Sequence, residues 1–288
     1  MDRLLYVAMN GANQVMLRQT TNNHNLANLN TVGFRADFDT FLSKDFGHNG
    51  LVTRVYAVSK GGAVSNQPGD VFTTGRELDI AIDNGGYIAV QDDDGSEAYS
   101  RGGELTIGEG GMLQTKSGYP VLGDGGPISI PPHQLIQVGK DGTISILPPG
   151  EASGTMVQLE RIKLVSIDHQ SLTKGVNGLL KKTDTPVFSD VLNPAPEDVD
   201  AKNENVRPDR PDAAKGPDGK NKENARPLPV PADENVTVTA GALEASNVSP
   251  IDALVNMITL ARQYEIQMKL MKSAEDNEAT ATQLLKVA

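Results

Sequence analysis

From about Asp2 to Leu29, positions recur along the chain at alternating intervals of three and four. Leu5, Ala8, Ala12, Val15, Gln19, Asn22, Leu26 and Leu29 fall on one line, and six of these eight are apolar. That is the period of a helix with one narrow covered side. No Pro interrupts the stretch. A second helical pattern occupies the other end. Ser249-Pro250 is a helix-start signal, with Pro near the first helical position. Leu254, Met257, Ala261, Tyr264, Met268 and Met271 then repeat at three and four, and neither Gly nor Pro occurs between Ile251 and Lys286. An unbroken helix over that range is roughly 54 Å long at about 1.5 Å per residue. Two long helices with seams at opposite chain ends are expected to pair with each other as a coiled coil.

Between them the period changes to two. Leu78, Ile80 and Ile82 alternate with Asp79, Ala81 and Asp83, the pattern of a half-buried strand. Asn84-Gly85-Gly86 turns the chain into Tyr87-Ile88-Ala89-Val90, and Asp94-Gly95 turns it again. Of the 29 glycines, 19 lie between residues 61 and 150, so turns come at short intervals and the strands between them are short. Such a run predicts an all-β sandwich or an irregular barrel. The stretch from about 189 to 233 differs again. From Asn193 to Asp233 it holds 8 of the 17 prolines and no aromatic residue, and it cannot bury enough apolar area to offset its ordering entropy.

The fold class expected is therefore α+β, with discontinuous terminal helices pairing as a coiled coil around a central all-β domain of short strands. Residues 1–34 with 250–288 form a terminal helical assembly domain. Residues 35–70 and 234–249 are extended connecting segments, 71–188 the β domain, and 189–233 a Pro-rich disordered insertion or linker.

Composition narrows the chemistry. There is no Cys and there are only 4 His, which removes disulfides, thiolate metal sites and a cysteine nucleophile. The net charge of −11 argues against nucleic acid as a partner, because phosphate binding is driven by an excess of Lys and Arg. No run of 18 apolar residues is present, so membrane insertion is not expected. The opening residues lack a basic segment followed by an apolar run, and a cleaved secretory signal is not expected either.

Asp92-Asp93-Asp94-Gly95 resembles part of a calcium loop, but Val90 and Arg101 stand where ligands are needed, and the segment reads as a polar turn. Gly108-Glu109-Gly110-Gly111 begins like a dinucleotide fingerprint, yet Leu113 occupies the third glycine's place and no helix follows. His169 lies beside Asp168 and near Ser171, which does not make a triad; a surface role is expected for it. Asp79 and Asp83 belong on a solvated strand face. No cofactor, no metal and no enzymatic activity are expected.

What remains is a concentration of asparagine, at positions 22, 23, 25, 28 and 30. Asn suits helix interiors poorly because its amide competes for backbone groups. One reading is a helix that frays into a capped turn closed by Gly33. The other is that these amides hydrogen-bond neighbouring chains, as a polar residue in a coiled-coil seam fixes register.

Asn25-Leu26-Ala27-Asn28 followed by Thr31-Val32-Gly33-Phe34 resembles the signature of bacterial flagellar axial proteins, the rod and hook family, with His24 in place of the first asparagine of the usual pair. Gly241-Ala242-Leu243-Glu244-Ala245-Ser246-Asn247-Val248, with Met257-Ile258, Arg262 and Tyr264-Glu265 beyond it, resembles the family's C-terminal signature. Thr73 to Ile82, leading into Gly85-Gly86-Tyr87, is a third match. Within the family the opening residues are most similar to proximal members of the rod, with distal members close behind. The resemblance implies a structural subunit of the flagellar basal body. It would be exported through the flagellar type III apparatus, assemble in the periplasm with itself and other rod proteins, and transmit torque along a shaft. The residues it points to for assembly are Leu5, Ala8, Ala12, Val15, Asn25, Leu26, Asn28, Gly33, Phe34, Leu254, Met257, Ala261, Tyr264, Met268 and Met271. The contrasting class is an extracellular β enzyme with helical extensions, which would need carboxylates converging on a pocket.

Overall fold

A computed structural model describes residues 3–45, 55–150, 155–175, 177–183 and 229–287. Most of the Pro-rich stretch, 189–228, lies outside the described residues. Its last part does not behave as a linker: Val230 is buried, its amide donates to the Tyr99 hydroxyl at 3.3 Å, and the Asp233 amide donates to Leu164 O at 2.9 Å.

The first helix, α1, spans Arg3–Ala27 and the last, α2, spans Pro250–Val287. Ser249 caps α2 by accepting the Asp252 amide on its hydroxyl at 3.3 Å, which satisfies one of the free N–H groups of the first turn. The two helices lie against one another and run antiparallel. Near one end of the pair Asn22 Nδ2 donates to Ala253 O at 2.9 Å. Further along, Gly11 sits under Gln267, where a Cβ would come within 2.9 Å of the Gln267 side-chain carbon. Ala274 is the last buried residue of α2. The described side chains beyond it, 275–280, 282 and 283, are exposed.

Between the helices, β1 (Asp37–Asp45) and β2 (Val55–Val64) make a two-stranded antiparallel hairpin. The chain then enters the β domain through β3 (Val71–Thr73), β4 (Ile80–Ile82), β5 (Tyr87–Gln91) and β6 (Glu97–Ser100). Next come β7 (Leu105–Ile107), β8 (Leu113–Thr115), β9 (Leu135–Val138), β10 (Thr143–Leu147) and β11 (Val157–Arg161). The last are β12 (Leu164–Val165), β13 (Leu172–Lys174), β14 (Leu180–Lys182), β15 (Val238–Ala240) and β16 (Ala242–Glu244). All named pairings are antiparallel. The largest sheet has the order β12-β5-β6-β14-β13, a second is β11-β10-β9, and the rest are two-stranded.

Both faces of the five-stranded sheet are covered, which is why β5 carries no polar face. Ile88 and Val90 enter one apolar cluster with Ile80, Leu105, Leu113, Val121, Ile128 and Ile144, while Tyr87 and Ala89 enter another with Tyr99, Val165 and Leu172. The half-buried strand expected over Leu78–Asp83 is corrected for the same reason. β15 pairs with β4 on one side, the Gly103 carbonyl takes the Ile80 amide on the other, and Ala81 and Asp79 are as buried as Ile80. Asp79 is therefore not on a solvated face; it lies 3.5 Å from the Arg76 guanidinium and is 2% exposed. The returning segment is not merely connecting chain either, since β15 and β16 complete the sheets of β4 and β3.

Candidate functional site

On α1 the structure covers the side that the periodicity marks. Ala8 and Ala12 are buried, and Leu5, Val15, Gln19, Asn22, Leu26 and Leu29 are half-buried. On α2 the covered line is Ala253, Met257, Leu260, Gln267, Met271 and Ala274. Met257 and Met271 belong to the expected stripe. Leu254 (51% exposed), Ala261 and Met268 (45%) do not belong to the seam; each lies one residue beyond a seam position, on an open flank. Tyr264 is at the margin, 37% exposed. The difference has a physical cause. Ile251, Val255, Ile258 and Ile266 are exposed on the side away from α1, so apolar residues surround α2 and periodicity alone cannot select which side is covered. α1 adds exposed Met9, Met16 and Leu17. The helix pair therefore leaves apolar side chains open to solvent, on α2 over the stretch from Ile251 to Leu270, among exposed polar ones.

The asparagine-rich end of α1 forms a joint to the β domain. Asn25 grips the backbone of Asp37 with both halves of its amide: Nδ2 donates to Asp37 O, and Oδ1 accepts from Asp37 N, each at 2.9 Å. Asn28 Nδ2 donates to His24 O at 2.9 Å, and Thr31 Oγ1 donates to Asn28 Oδ1 at 3.2 Å. The amides of Asn22, Asn25 and Asn28 thus each have a hydrogen-bond partner within the chain. His24 does not imitate an asparagine; its Nδ1 lies 2.9 Å from Asp37 Oδ2 and its ring packs edge-on against Phe34. Lys174 Nζ completes the cluster, 2.9 Å from Asp37 Oδ1 and 4.0 Å above the Phe34 ring.

Gly33 closes this turn at φ +66°, a conformation that costs L side chains energy. A Cβ there would collide with the Arg101 carbonyl oxygen, so glycine is required twice over. Its amide donates to Glu244 O at 2.8 Å. Beneath it, three buried ionic side chains meet. Arg35 Nη2 lies 2.8 Å from Glu244 Oε1, and Arg101 Nε donates to Glu244 Oε2 at 2.7 Å. Asn247 lashes the C-terminal segment to the N-terminal one, accepting the Ala36 amide at 2.8 Å and donating to Gln67 O at 2.9 Å. Burial holds the Arg35 guanidinium below its ordinary value, partly opposed by Glu244. The sequence gives little sign of these ionic residues, because isolated charges default to the surface; the one local signal is Glu244 inside the C-terminal motif.

His169 is not a simple surface residue. Its Nδ1 lies 3.0 Å from the Tyr87 hydroxyl, with burial lowering the imidazole and raising the phenol from their usual values. A cleft of about 570 Å³ lies between the asparagine-rich turn and the β domain, and Glu104 is the one carboxylate among its lining residues. Among the described residues no group of three or more His, Asp or Glu is placed to hold a metal, and no helix is long and apolar enough to cross a membrane.

Two parts of the chain match family models. Residues 81–146 match the one described as the flagellar hook protein FlgE/F/G D1 domain, and residues 239–284 match the flagellar basal body rod FlgEFG protein C-terminal. The chain is 33% identical to the flagellar basal-body rod protein FlgF of Salmonella typhimurium, over 100% of both chains. It is likewise 33% identical to the protein of the same description from Escherichia coli, again over 100% of both. It is 25% identical to the flagellar basal-body rod protein FlgG of Buchnera aphidicola subsp. Schizaphis graminum, over 97% of this chain and 98% of that one.

Proposed function

The chain belongs to the family of flagellar basal-body rod proteins, and from that premise we propose that it is a structural subunit of the proximal rod. The observation that carries the reading is the helix pair. Over its first half α2 carries apolar residues on the side facing away from α1 (Ile251, Val255, Ile258 and Ile266) as well as on the side facing it, and a helix stretch with apolar residues on both sides is normally covered on both. One subunit supplies one covering helix. Neighbouring subunits supply the rest, through a repeated contact that propagates instead of closing.

On this reading residues 1–34 and 250–288 act as the assembly domain, wound as a coiled coil. The β domain, 71–188, stands outside it and stiffens the shaft. Leu254, Ala261 and Met268, open in the isolated subunit, lie between subunits in the rod, while Leu5, Ala8, Ala12 and Met257 hold the pair itself. The partners are further copies, other rod proteins and the flagellar export apparatus, and the location is the periplasmic part of the basal body. The subunit transmits torque and catalyses nothing. An alternative position in the distal rod is distinguished by where labelled protein lies along purified basal bodies.

The test is Ala261→Asp. Ala261 is exposed, so the isolated subunit keeps its helix content and thermal midpoint, but a carboxylate placed between packed subunits is costly. Cells whose own copy is replaced by the variant are expected to lose swimming and to yield no complete rods. Normal motility with this variant would overturn the assignment of that surface.

A further inference from the structure

The joint beneath Gly33 holds an asymmetry of charge. Two guanidiniums, Arg35 and Arg101, share one carboxylate, Glu244, and all three side chains are buried. Arg35 comes from the segment that follows α1, Glu244 from the strand that leads to α2, and Arg101 from the β domain between them. Glu244 is fully engaged: Oε1 takes Arg35 Nη2 at 2.8 Å and the Gly69 amide at 2.9 Å, and Oε2 takes Arg101 Nε at 2.7 Å. Arg101 has further acceptors in Ile82 O, at 2.9 Å, and Gly86 O. Among the described residues Arg35 has only the Asn66 carbonyl besides, at 3.3 Å, and its Nε has no hydrogen-bond partner there.

We propose that Arg35, Arg101 and Glu244 form a charge interlock that makes docking of the two helix-bearing segments on the β domain a single event. Each segment carries the ion that the other needs. If the C-terminal segment lifts away, two buried cations are left facing each other without their carboxylate. Breaking a buried ion pair by removing one partner is far costlier than never having built it. The backbone reinforces the arrangement, because Gly33 N donates to Glu244 O and Asn247 N donates to Phe34 O. The three side chains act by positioning: they fix the direction in which the helix pair leaves the β domain. This device is internal to the subunit and does not depend on what the subunit assembles into.

The experiment is hydrogen exchange on the purified full-length subunit, read by mass spectrometry over residues 28–36, 242–249 and 87–100. Glu244→Gln is expected to speed exchange at least tenfold in 28–36 as well as in its own segment, with 87–100 unchanged. Arg35→Met leaves the Arg101–Glu244 pair intact, so it is expected to speed exchange in 28–36 and 242–249 but by less than Glu244→Gln does, and an effect as large as that of Glu244→Gln would count against the interlock. The double variant removes one of the two uncompensated cations, so its exchange in both segments is expected to be slower than in Glu244→Gln alone. Native exchange in 28–36 of Glu244→Gln, or a double variant as fast as the product of the single effects, would overturn the interlock. Should Glu244→Gln fail to fold, recovery of a folded protein in the double variant supports the proposal, and failure of both overturns it.

Discussion

Gly33→Ala separates two costs that usually arrive together. Gly33 and Gly75 both have left-handed backbones, at φ +66° and +76°. Placing an L side chain there costs about 1–2 kcal/mol at either position, and the reduced freedom of the unfolded chain returns about 0.4–1 kcal/mol at both, leaving about 1 kcal/mol net. At Gly75 nothing lies within 4 Å of an added Cβ, so the conformational term is the whole effect. At Gly33 the methyl collides with the Arg101 carbonyl oxygen and would lie 2.7 Å from the Gly102 nitrogen. Those atoms are backbone, and relieving the contact means moving the residue that holds Glu244. Overpacking of this kind costs about 1–3 kcal/mol, giving a total near 2–4 kcal/mol for Gly33→Ala. Urea unfolding followed by circular dichroism reads this as a midpoint shift of about 1 M, at an m-value of about 3 kcal/mol/M, against about 0.3 M for Gly75→Ala. Equal shifts for the two variants would refute the claim that the turn is pressed against the β domain.

Asn25→Ala removes both hydrogen bonds to the Asp37 backbone and is expected to lower unfolding stability by about 1–2 kcal/mol; a loss below about 0.3 kcal/mol in the same urea assay would show that water replaces the amide freely. His169 supplies a pH dependence. Burial lowers its folded-state value, so the folded protein prefers the neutral ring, whose Nδ1 lies 3.0 Å from the Tyr87 hydroxyl. The unfolded chain takes up a proton near pH 6.5, and the stability from this group is therefore full above that pH and lost as pH falls below it. His169→Phe is expected to flatten the stability profile between pH 7 and 5 relative to the unaltered protein, and superimposable slopes would contradict it.

Periodicity disclosed the covered side of α1 because the opposite side of that line carries enough polar residues to make a contrast. The same method displaced the stripe on α2 by about 50° at 100° per residue, since Leu254 and Met268 look as buriable as Ala253 and Leu260. Turn chemistry located the β domain: Asn84 and Gly85 have φ of 54° and 71°, the backbone of a tight turn. What could not be read there is long-range pairing. Nothing local says that Val238–Ala240 completes the sheet of Ile80–Ile82, and so nothing local says that Asp79 is buried. The ionic cluster was hidden for a related reason. Its members are separated by 66 and 143 positions along the chain, and a lone arginine or glutamate gives no sign that its counter-ion arrives from elsewhere.

The antiparallel pairing of α1 with α2 has a consequence for the order of events during synthesis. The ribosome makes α1 before its partner, with the whole β domain emerging in between. Bringing such distant segments together carries a loop-closure penalty that a folded β domain greatly shortens. Until α2 has been made, Ala8 and Ala12 lack the helix that covers them, and a nascent polypeptide carries an unzipped half-seam that only α2 can close.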